Sequence, residues 1–173
     1  MIGSHSCLWP MAQGAYNRYF GRLDTGKMKI QGVMARKGDT PEYVSRMQKE
    51  LFDIFTKARS LDELRMIRPM AQEVRAKYMD GLRNVDAREL AIHRRVSRTN
   101  YSRRCAEASA VQAYQKRGLP LAPGMEIGYV VTDAAKWKVD TERDASEFDS
   151  GYYGTLLEKA WDEVEFVFSW TSP

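Results

Sequence analysis

The sequence predicts an α+β fold, with a β-hairpin and helices in its first half and a mostly helical second half that contains a short sheet. Two runs of alternating aromatic or branched and polar residues flank a glycine-containing turn, which is typical of a hairpin. Several longer segments place apolar residues at helical spacing, and one apolar run is typical of a buried strand. At 173 residues, of which 43% are hydrophobic, the chain can bury the core of one domain or of two small lobes.

The first predicted element is the hairpin. Residues 16–23 (YNRYFGRL) and 27–36 (KMKIQGVMAR) are predicted to form its strands, and Asp24-Thr25-Gly26 its turn. Gly32 lies inside the second strand, where glycine indicates a bulge or a close approach of another backbone.

Two helical segments follow the hairpin. Asp39-Thr40-Pro41-Glu42 is typical of a helix start, because Asp or Thr can cap it, Pro fits its first turn and Glu favours its positive end. Ser60 and Glu63 predict a capping box at the second helix. Pro69 should kink or divide that helix, and Gly81 should end it. The apolar residues of both helices are predicted to form the core.

The second half opens with a basic region. Residues 90–98 are typical of either a strand or a helical turn, whereas residues 107–117 predict a helix of small residues that Gly118 closes. Between residues 88 and 117, eight arginine or lysine residues stand against two glutamates, although the whole chain carries a net charge of only +4. A positive field of this concentration usually faces a polyanion.

The end of the chain is acidic. After a turn-rich connector at residues 119–124, residues 125–132 (MEIGYVVT) predict a buried strand. Residues 133–149 predict a loop with short pieces of structure, and residues 152–168 predict a final helix with one apolar side. Ten acidic residues outnumber four basic ones between residues 132 and 165. One face is therefore expected to meet nucleic acid while the other stays in solvent.

Composition excludes several classes of protein. Cys7 and Cys105 form no ligand cluster, which argues against a zinc site and a disulfide scaffold and favours a reduced, cytoplasmic protein. Cys105 is predicted to be a small buried residue and His93 to have a structural role. No apolar run approaches the roughly 20 residues that a membrane helix needs. Residues 1–15 lack the pattern of a signal peptide and are predicted to be a flexible segment or a tag.

Five motifs occur in an order that resembles the carboxy-terminal part of archaeal family B DNA polymerases. They are YNRYFG, IQGVMARKGDTPE, VSRTNY, LAPGMEIGYVV and ASEFDSGYY. In that family the first two belong to the end of the palm and the others to the thumb. The resemblance covers nearly all of the chain after residue 16. It implies that residues 16–85 are the terminal palm portion, that residues 86–173 are the thumb, and that both grip primer–template duplex DNA behind the active site.

The resemblance also implies which residues touch DNA. On the palm side they are Arg18, Tyr19, Gln31, Gly32 and Lys37, and on the thumb side they are Ser97, Arg98, Tyr101, Arg103 and Arg104. Basic and hydroxyl side chains suit phosphate oxygens, and glycine lets backbone N–H groups approach a strand, so such contacts position the duplex without specifying its sequence.

The palm motifs depart from the family pattern. Asn17 stands where the family has a lysine, Gln31 and Gly38 stand where it has arginines, and Met34 stands where it has a glutamate. Palm-side contacts to DNA are therefore expected to be fewer than in the family, and the thumb arginines to carry more of the binding.

The family's catalytic motifs are absent from this sequence. Two-metal nucleotidyl transfer needs carboxylates that hold Mg²⁺, and neither the SLYP-bearing motif, the KxxxNSxYG helix nor the DTDS hairpin occurs here. We therefore expect no catalytic residue, no metal site and no cofactor in this chain, with Mg²⁺ bound only in a missing catalytic palm. The expected partners are duplex DNA and a larger catalytic polymerase chain or region, on which the apolar helix faces could dock.

Under this main interpretation, the chain is either an excised domain or the small subunit of a split polymerase. The sequence leaves two other functions open. The alternative is a protein-interaction module of an inactive polymerase-derived paralogue, which the lost palm lysine and arginines favour. A stand-alone enzyme that uses the acidic loop and a metal is disfavoured, because no phosphate-binding lysine motif accompanies those carboxylates.

Overall fold

The computed structural model describes residues 7–10 and 19–169, with residues 7–10, Arg22 and Ser169 described by their backbone alone. As far as they are described, Met1–Lys37, Val44–Gly81 and Leu156–Pro173 form one compact unit, and Gly38–Tyr43 and Leu82–Thr155 form a second. The described residues contain five α-helices and two three-stranded antiparallel sheets. The predicted α+β class is confirmed.

The sheet of the first unit consists of β1 (Cys7–Pro10), β2 (Tyr19–Arg22) and β3 (Met28–Gln31) in that order. The predicted hairpin is confirmed by β2 and β3, although residues 16–18 of its first strand lie outside the described residues. Gly26 has φ +79° and its N–H donates to the carbonyl of Leu23 at 2.8 Å, which closes the predicted turn. Residues 7–10, which belong to the segment predicted to be flexible, form β1 and pair with β2.

Three helices follow: α1 (Glu42–Phe55), α2 (Leu61–Met66) and α3 (Arg68–Gly81). Ser60 caps α2 as predicted, since the N–H of Glu63 donates to its Oγ at 3.2 Å. The Glu63 carboxylate accepts from the N–H of Arg59 at 2.7 Å, one residue earlier than a standard capping box requires. The predicted division before Pro69 is confirmed, because α2 and α3 are separate helices.

Aromatic rings form the centre of the first unit. Phe20, which is fully buried, lies 5.4 Å from the ring of Phe52 and 5.3 Å from that of Phe55. Phe168 of α5 (Ser150–Ser169) lies 5.6 Å from Phe55. The strand β2, the helix α1 and the end of α5 therefore share one apolar core, as the stripe on α1 predicts.

One buried amide joins three segments of the first unit. Gln48 is fully buried, and its Nε2 donates to the carbonyl of Ala160 at 2.9 Å and to Glu163 at 2.7 Å. Its Oε1 accepts from the N–H of Ala35 at 2.7 Å. Every polar atom of this side chain is thus engaged, which is what permits an amide to lie in a core.

The second unit contains the short helix Ala87–Leu90, β4 (Ile92–Arg95), α4 (Ala106–Lys116), β5 (Glu126–Asp133) and β6 (Lys138–Thr141). Its sheet has the order β4-β5-β6, so the ambiguous residues 90–98 contain a strand. The strand β6 is a short piece of structure of the kind predicted within residues 133–149. Polar Lys138 and Asp140 flank Val139 in β6, and the strand forms because its backbone pairs with that of β5, Val131 opposite Val139.

Two tyrosines fix helices to β5. The hydroxyl of Tyr114 in α4 donates to the carbonyl of Gly128 at 2.8 Å, and the N–H of Val131 donates to the hydroxyl oxygen of Tyr153 at 2.8 Å. Burial raises the pKa of Tyr129 to about 12 and raises the pKa of Tyr153 further. Tyr153, which is fully buried, therefore has a packing role.

Candidate nucleic-acid interface

The basic segment, residues 94–104, connects β4 to α4. Arg94 and Arg95 end β4, and Val96 is anchored by its N–H, which donates to the carbonyl of Met125 at 2.7 Å. At the other end Cys105 caps α4, since its Sγ accepts from the N–H of Ala108 at 3.4 Å. Cys105 is half-buried rather than buried as predicted, because this capping position lies at the surface. Both ends of the basic segment are therefore tied to regular structure.

Most arginines of the basic segment carry free charges. Arg94 pairs with Asp39 at 3.2 Å and lies 3.8 Å from Glu107. Four others are exposed and form no ion pair with any described residue: Arg95, Arg98, Arg103 and Arg104. The structure thus leaves exposed the three arginines that the sequence predicts as thumb contacts to DNA, and Arg95 beside them.

Glu107 organises the polar groups of the basic segment. Its carboxylate accepts from the hydroxyl of Tyr101 at 2.5 Å and from that of Ser97 at 3.3 Å, and its side chain is only 17% exposed. Burial, together with the hydrogen bond that Tyr101 donates to Glu107, raises the pKa of the Tyr101 hydroxyl. The guanidinium of Arg98 lies 5.5 Å from the centre of the Tyr101 ring. Glu107 therefore holds Tyr101 in place, and the Tyr101 ring supports Arg98.

This arrangement changes the roles of the two hydroxyl residues. Each hydroxyl has a single hydrogen, and those of Ser97 and Tyr101 are donated to Glu107. Neither can donate to a phosphate while these bonds persist. The sequence could not reveal this, since Glu107 lies outside the five motifs and looks like an ordinary residue of a helix first turn.

An open groove of about 470 Å³ lies beside the basic segment. It has charges of both signs, with Asp39, Glu107 and Glu126 alongside Arg94 and Arg95. His93 also lines it and contacts Glu142 at 2.9 Å, in agreement with the structural role predicted for this histidine. Because its charges are mixed, this groove is a poorer candidate for an anionic ligand than the exposed arginines of the basic segment.

The predicted palm contacts lie in the first unit. Tyr19 and Gln31 are register partners, and the Tyr19 hydroxyl donates to the Gln31 amide oxygen at 2.7 Å. Gly32 has φ +74°, a conformation that favours glycine and fits the irregularity predicted for it. Lys37 is exposed, and Arg18 lies outside the described residues.

Two basic residues near these palm contacts were missed by the sequence interpretation. Lys29 and Arg36 line an open groove of about 430 Å³ together with Gln31 and Gly32. The ammonium of Lys29 lies 5.6 Å from the centre of the Tyr19 ring. Lys29 lies two residues before the Gln-Gly pair and Arg36 four residues after it, and this closeness in sequence is a signal that could have found them.

The described part of the chain contains neither a metal-binding cluster nor a membrane-spanning helix. It holds no group of three or more His, Cys, Asp or Glu side chains placed to bind a metal ion. None of its helices is long and apolar enough to cross a membrane.

Comparison with known proteins identifies relatives among DNA polymerases. No protein-family model matches the sequence. The chain is 31% identical over 121 residues to DNA polymerase 2 of Aeropyrum pernix, an alignment that covers 68% of this chain and 14% of that protein. Its fold is similar to the family B DNA polymerase of the hyperthermophilic archaeon Pyrobaculum calidifontis, with a TM-score of 0.69 over 90% of this chain and 21% of that one, at 20% identity. The chain thus spans a small part of the length of either polymerase, and it belongs to the archaeal family B DNA polymerases.

Proposed function

We propose that this chain binds primer–template duplex DNA, independently of sequence, as the palm and thumb end of a family B DNA polymerase. The observation that carries the proposal is the set of exposed, unpaired guanidinium groups on the basic segment: Arg95, Arg98, Arg103 and Arg104. Membership of a DNA polymerase family makes DNA the polyanion that such groups would meet.

The geometry suits contacts to the DNA backbone. A guanidinium without a carboxylate partner loses no ion pair when it binds a phosphate, and each contact releases counterions from DNA. Arg98 rests on the Tyr101 ring, so less conformational entropy is lost when it binds. Such contacts hold the duplex in register and slow its dissociation, and processivity is the polymerase property that depends on them.

The chemistry of polymerisation is proposed to lie elsewhere. We assign residues 16–85 to the terminal palm and residues 86–173 to the thumb, and we place the carboxylates that hold Mg²⁺ in a larger catalytic region or partner chain. The proposed partners are therefore duplex DNA and that catalytic region, and the proposed location is the nucleoid, where the DNA lies.

The test is the salt dependence of duplex binding. Replacing Arg98, Arg103 and Arg104 by Ala removes three phosphate contacts, so the plot of log K against log salt becomes shallower by about 2.7, or about 0.9 per contact. The assay is fluorescence anisotropy with a labelled primer–template duplex at several salt concentrations. The matched control removes three exposed basic residues outside the basic segment, Lys57, Arg59 and Arg83.

The two variants lose the same net charge, so their difference isolates the basic segment. An unchanged slope in the arginine variant, or equal slopes in both variants, would refute the proposed phosphate contacts.

A second candidate function is a protein-interaction module of an inactive polymerase-derived paralogue. Met66 and Met70, on either side of the break between α2 and α3, are 79% and 47% exposed. Flexible thioether side chains suit an adaptable protein contact. Weak binding by the unmodified chain to primer–template duplexes of every length at moderate salt favours this function over DNA binding.

A further inference from the structure

The turn between β5 and β6 presents an aromatic side chain in an unusual conformation. Trp137, the last residue of the turn, has φ +50°, and among the described residues it is the one non-glycine residue with a positive φ. Its side chain is also exposed, at 36%. A bulky residue in this region is strained, and glycine or asparagine is the usual choice at such a position.

The turn does not need the indole to hold its shape. The N–H of Ala134 donates to Asp149 at 2.8 Å, that of Lys136 donates to Asp133 at 3.0 Å, and that of Trp137 donates to the carbonyl of Ala134 at 3.3 Å. Two aspartate carboxylates and one carbonyl therefore accept the N–H groups of the turn, and none of these bonds involves the indole. A strained residue whose side chain does not stabilise its own turn is a candidate for contact with a ligand.

The charges around Trp137 indicate the kind of ligand. Lys136 and Lys138 flank it in an otherwise acidic stretch of sequence. Lys138 is exposed and forms no ion pair with a described residue, while Lys136 is 67% exposed and lies 3.7 Å from Asp133. An exposed indole with a lysine on either side in the sequence suits a nucleic-acid base with its neighbouring phosphates.

The base must be unpaired. Inside a duplex both faces of a base are covered by its neighbours, so an indole stacks there only on a base that has left the helix, whereas the bases of single-stranded nucleic acid are open to it. We propose that Trp137, together with Lys136 and Lys138, stacks on an unpaired base of a single-stranded nucleic acid.

This site is separate from the basic segment. In the strand register, Arg95 of β4 lies opposite Glu126 at one end of β5, and the turn follows Asp133 at the other end. A strand of eight residues separates its ends by about 23 Å. The inference is therefore independent of the proposed duplex binding, and it is tested with a different ligand.

The test compares the unmodified chain with Trp137→Gly and Trp137→Tyr. Glycine accepts the positive φ, so the first variant should be at least as resistant to urea as the unmodified chain. It should bind a labelled oligothymidylate of about 20 nucleotides about ten-fold more weakly, the loss of one stacked base. Trp137→Tyr should recover part of that affinity.

A second readout separates this site from the duplex site. Trp137→Gly should leave binding of a fully paired duplex within two-fold of the unmodified chain, so a failed duplex proposal would not affect the result. Unchanged oligothymidylate binding in Trp137→Gly would overturn the inference and leave a protein contact as the reason for the exposed indole. Equal weakening in the glycine and tyrosine variants would also overturn it, since stacking requires an aromatic ring and not tryptophan alone.

Discussion

Removing the carboxylate of Glu107 tests how the basic segment is held. Three groups meet this carboxylate: the hydroxyls of Tyr101 at 2.5 Å and Ser97 at 3.3 Å, and the guanidinium of Arg94 at 3.8 Å. A hydrogen bond to a charged group contributes about 1.5–3 kcal/mol to stability. An acidic residue in the first turn of a helix adds about 0.3–1 kcal/mol. The hydrogen bond from Tyr101 should make the larger contribution to stability, because the bond from Ser97 is long and exposed.

Glu107→Ala should therefore lower the free energy of unfolding by about 3 kcal/mol. Glu107→Gln keeps an acceptor for both hydroxyls and loses only the charge, so about 1 kcal/mol is expected. Urea denaturation of the whole chain measures both changes. In a double-mutant cycle with Tyr101→Phe, the double variant should lose about 1.5 kcal/mol less than the sum of the two single variants, because both single changes remove the same hydrogen bond.

Two results would refute this account of Glu107. One is a loss below about 0.5 kcal/mol in Glu107→Ala, the size typical of surface substitutions. The other is strict additivity with Tyr101→Phe, within about 0.5 kcal/mol, which would mean that the hydrogen bond does not contribute. Either result would leave Arg98 without the fixed support that the proposed DNA contact assumes.

Two further predictions concern stability. Gln48→Leu keeps the buried volume but removes three hydrogen bonds and leaves the N–H of Ala35 without an acceptor. Urea denaturation should therefore show that the free energy of unfolding falls by about 3 kcal/mol. The exposed control Lys49→Gln should lose less than about 0.5 kcal/mol, and equal losses in the two variants would contradict the role of the amide. Burial raises the pKa of Tyr129 to about 12 and also raises the pKa of Tyr153, so the folded state keeps protons that the unfolded state releases near pH 10. Stability from these tyrosines should be complete below about pH 10 and fall as pH rises toward 12, by up to about 1.4 kcal/mol per pH unit for each. Urea midpoints at rising pH measure this, and a slope that does not flatten in Tyr129→Phe would show that other groups cause it.

The sequence by itself determined the elements that depend on a few neighbouring residues. The Asp24-Thr25-Gly26 turn, the Ser60 cap and the division of the helix before Pro69 were predicted correctly. Each depends on backbone conformations that short-range sterics and capping restrict. The concentration of arginines in the basic segment is likewise visible as composition, and the ordered motifs led to a polymerase family that the comparison with known proteins then supported.

Only the tertiary structure decided which groups are engaged and which are free. The hydroxyls of Ser97 and Tyr101 suit phosphate by residue type, but the folded chain gives them to Glu107. The strand β6 formed in a polar stretch because β5 offers it a backbone partner, and the turn that joins them leaves Trp137 exposed. Hydrogen-bond partners and exposure depend on distances that folding creates between separated residues. A one-dimensional pattern contains the donors and acceptors but not those distances.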